Sequence, residues 1–254
     1  MKLTELSDFL NEKAAYYETL DFIESDPILI PHQFSKKEDI EISGFLAATI
    51  AWGQRPTIIK NATFLMEQMD MAPFDFITNF KEDDLLGFES FKHRTFNFDD
   101  LKHFLLSLQN LYKKHNGLEG AFSQAPENMA LNISKFKKSF FEISHLQRSQ
   151  KHVSDPVKGS AAKRLNMYLR WMVRSDIKGV DFGIWTKIKP AHLYLPLDVH
   201  TGNVSKKLGI LQRKQSDWKA VEDIMVTLRK LDPNDPVKYD FALFGLGVFE
   251  RFGK

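Results

Sequence analysis

The 254-residue chain has no cysteine. That excludes disulfides, a thiol nucleophile and any zinc or iron–sulfur cluster held by thiolates. It also lacks an apolar run long enough to cross a bilayer. Its first fifteen residues place Lys2, Glu5, Asp8, Glu12 and Lys13 among apolar neighbours, which is no signal-peptide core. A cytoplasmic protein with no membrane partner is the expectation. Strand-like alternation is missing throughout, as are internal repeats and low-complexity segments, so the expected fold class is all-α.

What is present is ordinary for a globular chain: 43% hydrophobic and 27% charged residues. The net charge is only +2, but it is unevenly placed. Residues 1–100 hold nine Lys/Arg against nineteen Asp/Glu, a balance of −10; residues 151–219 hold fourteen against five, a balance of +9. A basic block on one face is a footprint for an anionic polymer, and a Lys-rich solvated surface gives the same count.

Helical signals run the length of the chain. Leu6, Phe9, Leu10, Ala14, Tyr17 and Leu20 recur at helical spacing. Ser35 and Glu38 form a capping-box pattern ahead of the apolar run Ile40 to Ala51, which Gly53 ends. Trp52-Gly53-Gln54-Arg55-Pro56 is then a polar tip between apolar helices, with Gln54 and Arg55 able to reach a ligand or simply to face water. Phe88 to Phe98, around Lys92-His93-Arg94, reads either as a nucleic-acid-facing aromatic patch or as core. Amphipathic helices are expected over 99–115 and 126–143. Ser216 is placed to cap a helix through Leu228. The last helix, with Phe241, Leu243, Phe244, Leu246 and Phe249, is apolar on most sides, and Gly245 and Gly247 within it point to close helix contact.

The most informative stretch is Lys158 to Gly209. A Gly159-Ser160 turn leads into a helix expected over 161–174, where Leu165, Tyr168, Leu169 and Met172 make a buried stripe and Lys163, Asn166, Arg170 and Arg174 fall on another face. A loop follows, then Leu195-Pro196-Leu197-Asp198-Val199-His200, with Asp198 a natural N-cap for the next helix.

These features, in this order, resemble the helix-hairpin-helix DNA glycosylase superfamily of endonuclease III and 8-oxoguanine glycosylase. The segments that carry the resemblance are Phe45 to Gln54, Gly159 to Lys163, Leu197 to His200 and Phe241 to Gly247. Phrases such as Lys163-Arg164-Leu165-Asn166-Met167 and Pro196-Leu197-Asp198-Val199-His200 resemble still more a bacterial family of unknown function, domain of unknown function 2400. The resemblance implies a single glycosylase-like unit over 1–254. Its two helical subdomains would be approximately 40–170 and 1–39 plus 171–254.

It also implies roles. Lys163 matches the lysine that attacks the sugar C1′ and forms a Schiff base, and Asp198 the aspartate that stabilises positive charge on the sugar. An amine must be neutral to attack, and a free lysine, with a pKa of about 10.4, is not. Gly159 and Ser160 match the hairpin that holds a phosphate, though the second hairpin glycine is absent here. Gln54 matches a glutamine on a DNA-contacting turn, and Trp52 supplies a stacking face in a base pocket. Arg55, Arg164, Arg170, His200 and Lys206 complete the expected DNA contacts. Duplex DNA, damaged or abasic, is the expected partner, with no cofactor and no metal; no protein partner is implied. The segment 176–189 is longer than its counterpart in endonuclease III and is expected to loop out.

Each residue has a plainer reading. Asp198 serves as an N-cap, Lys163 as a surface lysine, and His200 as a core histidine. Two other functions stay open: a DNA-binding module without chemistry, and a metal-assisted hydrolase using Asp198, His200 and one of His93, His103 or His192.

Overall fold

The structure, a computed structural model, describes residues 2–174 and 178–252. It is mostly helical: α1 Leu3–Tyr17, α2 Asp21–Glu24, α3 Lys37–Thr49, α4 Arg55–Glu67, α5 Pro73–Asn79, α6 Phe98–Lys114, α7 Gly117–Ala121, α8 Met129–Phe140, α9 Lys163–Val173, α10 Val199–Lys207, α11 Trp218–Leu231 and α12 Tyr239–Val248. One departure from the all-α expectation is a two-residue hairpin, β1 Lys92–His93 paired antiparallel with β2 Phe96–Asn97. Arg94 makes its tight turn with a left-handed φ of 56°. Among the described residues no helix is long and apolar enough to cross a membrane.

The chain forms two compact units. One is Met1–Phe22 with Glu127–Ala130 and Asp155–Lys254; the other is Ile23–Pro126 with Leu131–Ser154. The residues from 155 to 170 therefore belong with the C-terminal helices rather than with the central bundle. The reason is local: the hairpin at Gly159-Ser160 is tied to α11, through Trp218 N–H donating to the Gly159 carbonyl at 3.0 Å and an isolated bridge between Ser160 and Asp217.

In the unit starting at Ile23, α3 is buried along almost its whole length, as its apolar run dictates. Phe45 packs on Phe104, Phe136 and Phe140, with ring centroids 5.5–6.1 Å apart. Such offset and edge contacts add to the area each ring buries. Of the aromatics in residues 88–98, Phe88, Phe91 and Phe96 are buried in the core and Phe98 is half-buried, which favours the core reading of that stretch. Two expected caps are corrected. Ser35 does not cap α3, which begins at Lys37 after Lys36 and has no side-chain cap. Asp217 rather than Ser216 caps α11, accepting from Ala220 N–H at 3.0 Å. Leu20 lies beyond the end of α1 and is exposed.

In the unit containing both termini, α12 packs against α1 and α10. Both glycines expected to allow close approach do so. A Cβ at Gly245 would fall 2.2–2.5 Å from the Tyr17 ring, and one at Gly247 would fall 2.9 Å from the Cβ of His200. Only residues without a side chain let three helices meet this tightly.

Candidate functional site

Lys163 and Asp198 are brought together. The Lys163 Nζ lies 3.1 Å from Asp198 Oδ2, with the lysine side chain 39% exposed and the aspartate 12%. Two local devices produce this. Lys163 is the first residue of α9, directly after Ala162, whose left-handed φ of 47° turns the chain sharply into the helix. An L-residue seldom takes that conformation, and here it moves the helix start to 163 rather than 161. Asp198 is the N-cap of α10: its Oδ1 accepts from Thr201 N–H at 2.9 Å, while its own N–H donates to Thr201 Oγ1 at 2.8 Å. That leaves Oδ2 for the lysine. Burial pushes the Asp198 carboxyl up, but the Lys163 charge, the Thr201 amide and His200 outweigh it and hold it below the ordinary carboxylate value.

Asn166, fully buried one turn into α9, ties the two segments. Its amide donates to the Ala161 carbonyl at 3.2 Å and to the Leu195 carbonyl at 3.5 Å. Asn166, Arg174, Asp181 and Asp240 were not anticipated as site residues. The face carrying Asn166, Arg170 and Arg174 is interior, not solvent. Arg170, expected to contact DNA, is 3% exposed; its guanidinium bonds to Asp240 and, at 3.2 Å, to Asp181. Arg174 pairs with Glu18, with Asp181 at 3.2 Å and with Asp235 at 2.7 Å. Asp181 comes from the long segment after α9. Its described part does not loop out, because Phe182 and Trp185 N–H groups donate to the carbonyls of Trp171 and Met172 at 2.8 and 2.9 Å. Residues 175–177 lie outside the described residues, so the expectation for 176–177 is not addressed. Part of the signal for this network was available in Asp240: a carboxylate inside the otherwise apolar α12 must find a cation when it is buried.

The remaining expected residues are placed as follows. Gly159 is left-handed (φ 90°) at the end of a short 3-10 turn, with open space around it. Ser160 Oγ accepts from Ala162 N–H at 3.3 Å. Burial pulls the Arg164 guanidinium down to about 10. His200 and Lys206 are exposed on α10, and Lys206 Nζ donates to the Lys214 carbonyl at 3.3 Å. Trp52, Gln54 and Arg55 belong to the other unit. There Trp52 is half-buried between the rings of His93 and His152, Gln54 is exposed ahead of α4, and Arg55 lies 3.9 Å from Asp26. His93 is fixed by Asn61 at 2.8 Å and by the Trp52 carbonyl at 3.0 Å. Among the described residues no group of three or more His, Asp or Glu could hold a metal ion, so the hydrolase set around Asp198 and His200 is not assembled.

The family described as protein of unknown function, DUF2400, matches residues 26–249, and the chain belongs to it. No curated protein and no solved structure matches the chain.

Proposed function

We propose that the chain acts on DNA as a base-excision enzyme of the glycosylase or abasic-site lyase type, with Lys163 as the Schiff-base amine and Asp198 as its carboxylate partner. The observation that carries this reading is the 3.1 Å contact between an accessible amine and a carboxylate set 35 positions apart. A lysine that only decorates a surface has no need of a largely buried aspartate beside it. The glycosylase-like fold belongs to this proposal and rests on the motif order. Further support comes from the basic balance of residues 151–219, which suits a phosphate backbone.

The chemistry asked of the pair is simple. The Lys163 ammonium gives up a proton to water, and the free amine adds to C1′ of the opened abasic sugar. The carbinolamine hydroxyl takes a proton back and leaves as water, giving an iminium whose positive charge the Asp198 carboxylate faces. The test is borohydride reduction of that iminium on duplex DNA bearing an abasic site. Wild type is expected to give a covalent adduct that Lys163→Ala abolishes while retaining DNA affinity. Salt-sensitive binding with no adduct would instead favour a DNA-binding module, a reading that Asp198's structural work as the cap of α10 also supports. No binding and no adduct would refute both.

A further inference from the structure

An aspartate can cap a helix without a side-chain partner at the third helical position. Asp217 does so for α11: its Oδ1 accepts from Ala220 N–H at 3.0 Å, and alanine offers nothing in return. Asp198 caps the shorter α10 with an extra part. Thr201, fully buried at the third position, meets it through both backbone and hydroxyl. The Thr201 amide donates to Oδ1 at 2.9 Å, and Oγ1 accepts from the Asp198 N–H at 2.8 Å. The same Oγ1 lies 3.2 Å from Oδ1 and 3.3 Å from the Asp198 carbonyl oxygen. A hydroxyl has one proton to donate. The carbonyl already accepts from Gly202 N–H at 2.9 Å, whereas Oδ1 is anionic and binds a donor more strongly. The proton therefore goes to Oδ1, which holds two donors from one residue.

A capping box most often places Glu or Gln at this position. An ionised Glu would accept from the Asp198 N–H but could not donate to its carboxylate, and would set a second negative charge beside it. Threonine accepts and donates from one atom, on a β-branched side chain with few rotamers. What this fixes is a rotation. Asn166 ties the backbone ahead of Asp198 to the start of α9 through the carbonyls of Leu195 and Ala161, but the carboxylate is still free to turn about its own bonds. With Oδ1 held by Thr201, Oδ2 is left toward Lys163 Nζ at 3.1 Å.

We propose that Thr201 is a positioning residue for the Lys163–Asp198 pair, its hydroxyl locking the Asp198 carboxylate so that Oδ2 faces the amine, a task separate from capping α10. The proposal rests on the reading of that pair as reactive, and it adds a residue that the reading does not use. Thr201 has no exposed surface, so it acts only through Asp198.

Thr201→Val tests this, because it keeps the shape and the amide and removes the hydroxyl; Thr201→Ser restores it. Against the upward push of burial, the Lys163 charge, the Thr201 amide and His200 hold the Asp198 carboxyl below its ordinary value. A hydroxyl donor and a fixed lysine distance act in the same direction. Carboxyl-carbon NMR of the full chain, free of DNA, is therefore expected to show the Asp198 midpoint rising toward the ordinary value in Thr201→Val and returning in Thr201→Ser. Val204→Ala, which opens a cavity under the same helix, controls for lost stability and should leave the midpoint in place. On abasic duplex DNA, Thr201→Val is expected to slow borohydride trapping on the order of tenfold at saturating DNA, with half-saturation unchanged, and Thr201→Ser to recover the rate. An unmoved midpoint or wild-type trapping in Thr201→Val, an equal rise in Val204→Ala, or a serine variant no better than the valine one overturns the proposal. If Thr201→Val does not fold, the wild-type hydroxyl proton decides: its resonance should follow the Asp198 titration, and one indifferent to it refutes the bond. Failure of trapping in wild type would remove the DNA reading, while the titrations without DNA would still judge the hold of Thr201 on Asp198.

Discussion

Gly247 and His200 lie so close that a methyl group on the glycine would sit 2.9 Å from the histidine Cβ and 3.3 Å from its Cα and carbonyl carbon. Two of those three atoms are backbone, so the neighbour cannot swing away, and α10 must shift at its first turn. Gly247→Ala is therefore expected to destabilise the fold by about 1–3 kcal/mol, the usual cost of overpacking, outweighing the helix propensity gained. Because His200 is two residues past Asp198, the same change disturbs the lysine contact. Urea denaturation measures the first effect, and an unchanged midpoint would show that α10 and α12 are not in tight contact.

The pH dependence of stability has two opposing parts between about pH 4 and 6.5. Asp240 binds its proton more tightly in the folded state, up to about pH 6, than its ordinary value of 3.8 allows. Its contribution is thus fully favourable below the unfolded value and is lost as pH rises through 6, by about 3 kcal/mol in all. His103 runs the other way: burial, with repulsion from His145, lowers its imidazole to about 4, so the fold loses stability as pH falls below 6.5. Wild-type stability alone will look flat. The difference between wild type and Asp240→Asn is expected to fall steadily as pH rises from 4 to 6, read from urea midpoints at each pH. A rising or level difference would mean that Asp240 is ionised throughout.

Most of the helices were legible because their apolar residues recur every three or four positions, and α12 announced its burial by being apolar on nearly every side. The proximity of Lys163 and Asp198 was expected only through the resemblance; spacing alone could not place together residues separated by a loop. The caps were misassigned by one position, at Ser35 and Ser216, because several polar residues compete at a helix start and tertiary contacts choose among them. What could not be read was which charges meet in the interior. Arg170 and Arg174 look like surface residues until Asp181, Asp235, Asp240 and Glu18 arrive from other elements.

Arg174 is the centre of that interior. It reaches Glu18, Asp181 and Asp235 at once from two separate nitrogens, a span that the planar guanidinium has and a compact ammonium lacks. Removing it strands carboxylates where water is scarce. Arg174→Met is expected to cost about 3–5 kcal/mol, and Arg174→Lys to recover only part of that. Thermal denaturation would expose the error if Arg174→Lys matched wild type, because shape-matched donation would then be irrelevant.

Asp198 has two jobs, and two substitutions separate them. Asparagine still accepts from the Thr201 amide, so Asp198→Asn keeps the cap of α10 but removes the charge facing Lys163. Alanine removes both, at an added cost of about 1 kcal/mol typical of a lost N-cap. If the carboxylate serves only the helix, Asp198→Asn should resemble wild type in every assay and Asp198→Ala should differ only in stability. If it serves the reaction, both variants should lose borohydride trapping on abasic DNA to a similar extent despite their different stabilities. Asp198 also loses its stabilising contribution as pH falls through its lowered carboxyl value, because the unfolded chain takes up the proton first. That acid-side loss should be absent from both variants. Trapping and urea midpoints measured on the same two proteins decide between cap and catalyst, since full trapping by Asp198→Asn is incompatible with a reacting carboxylate.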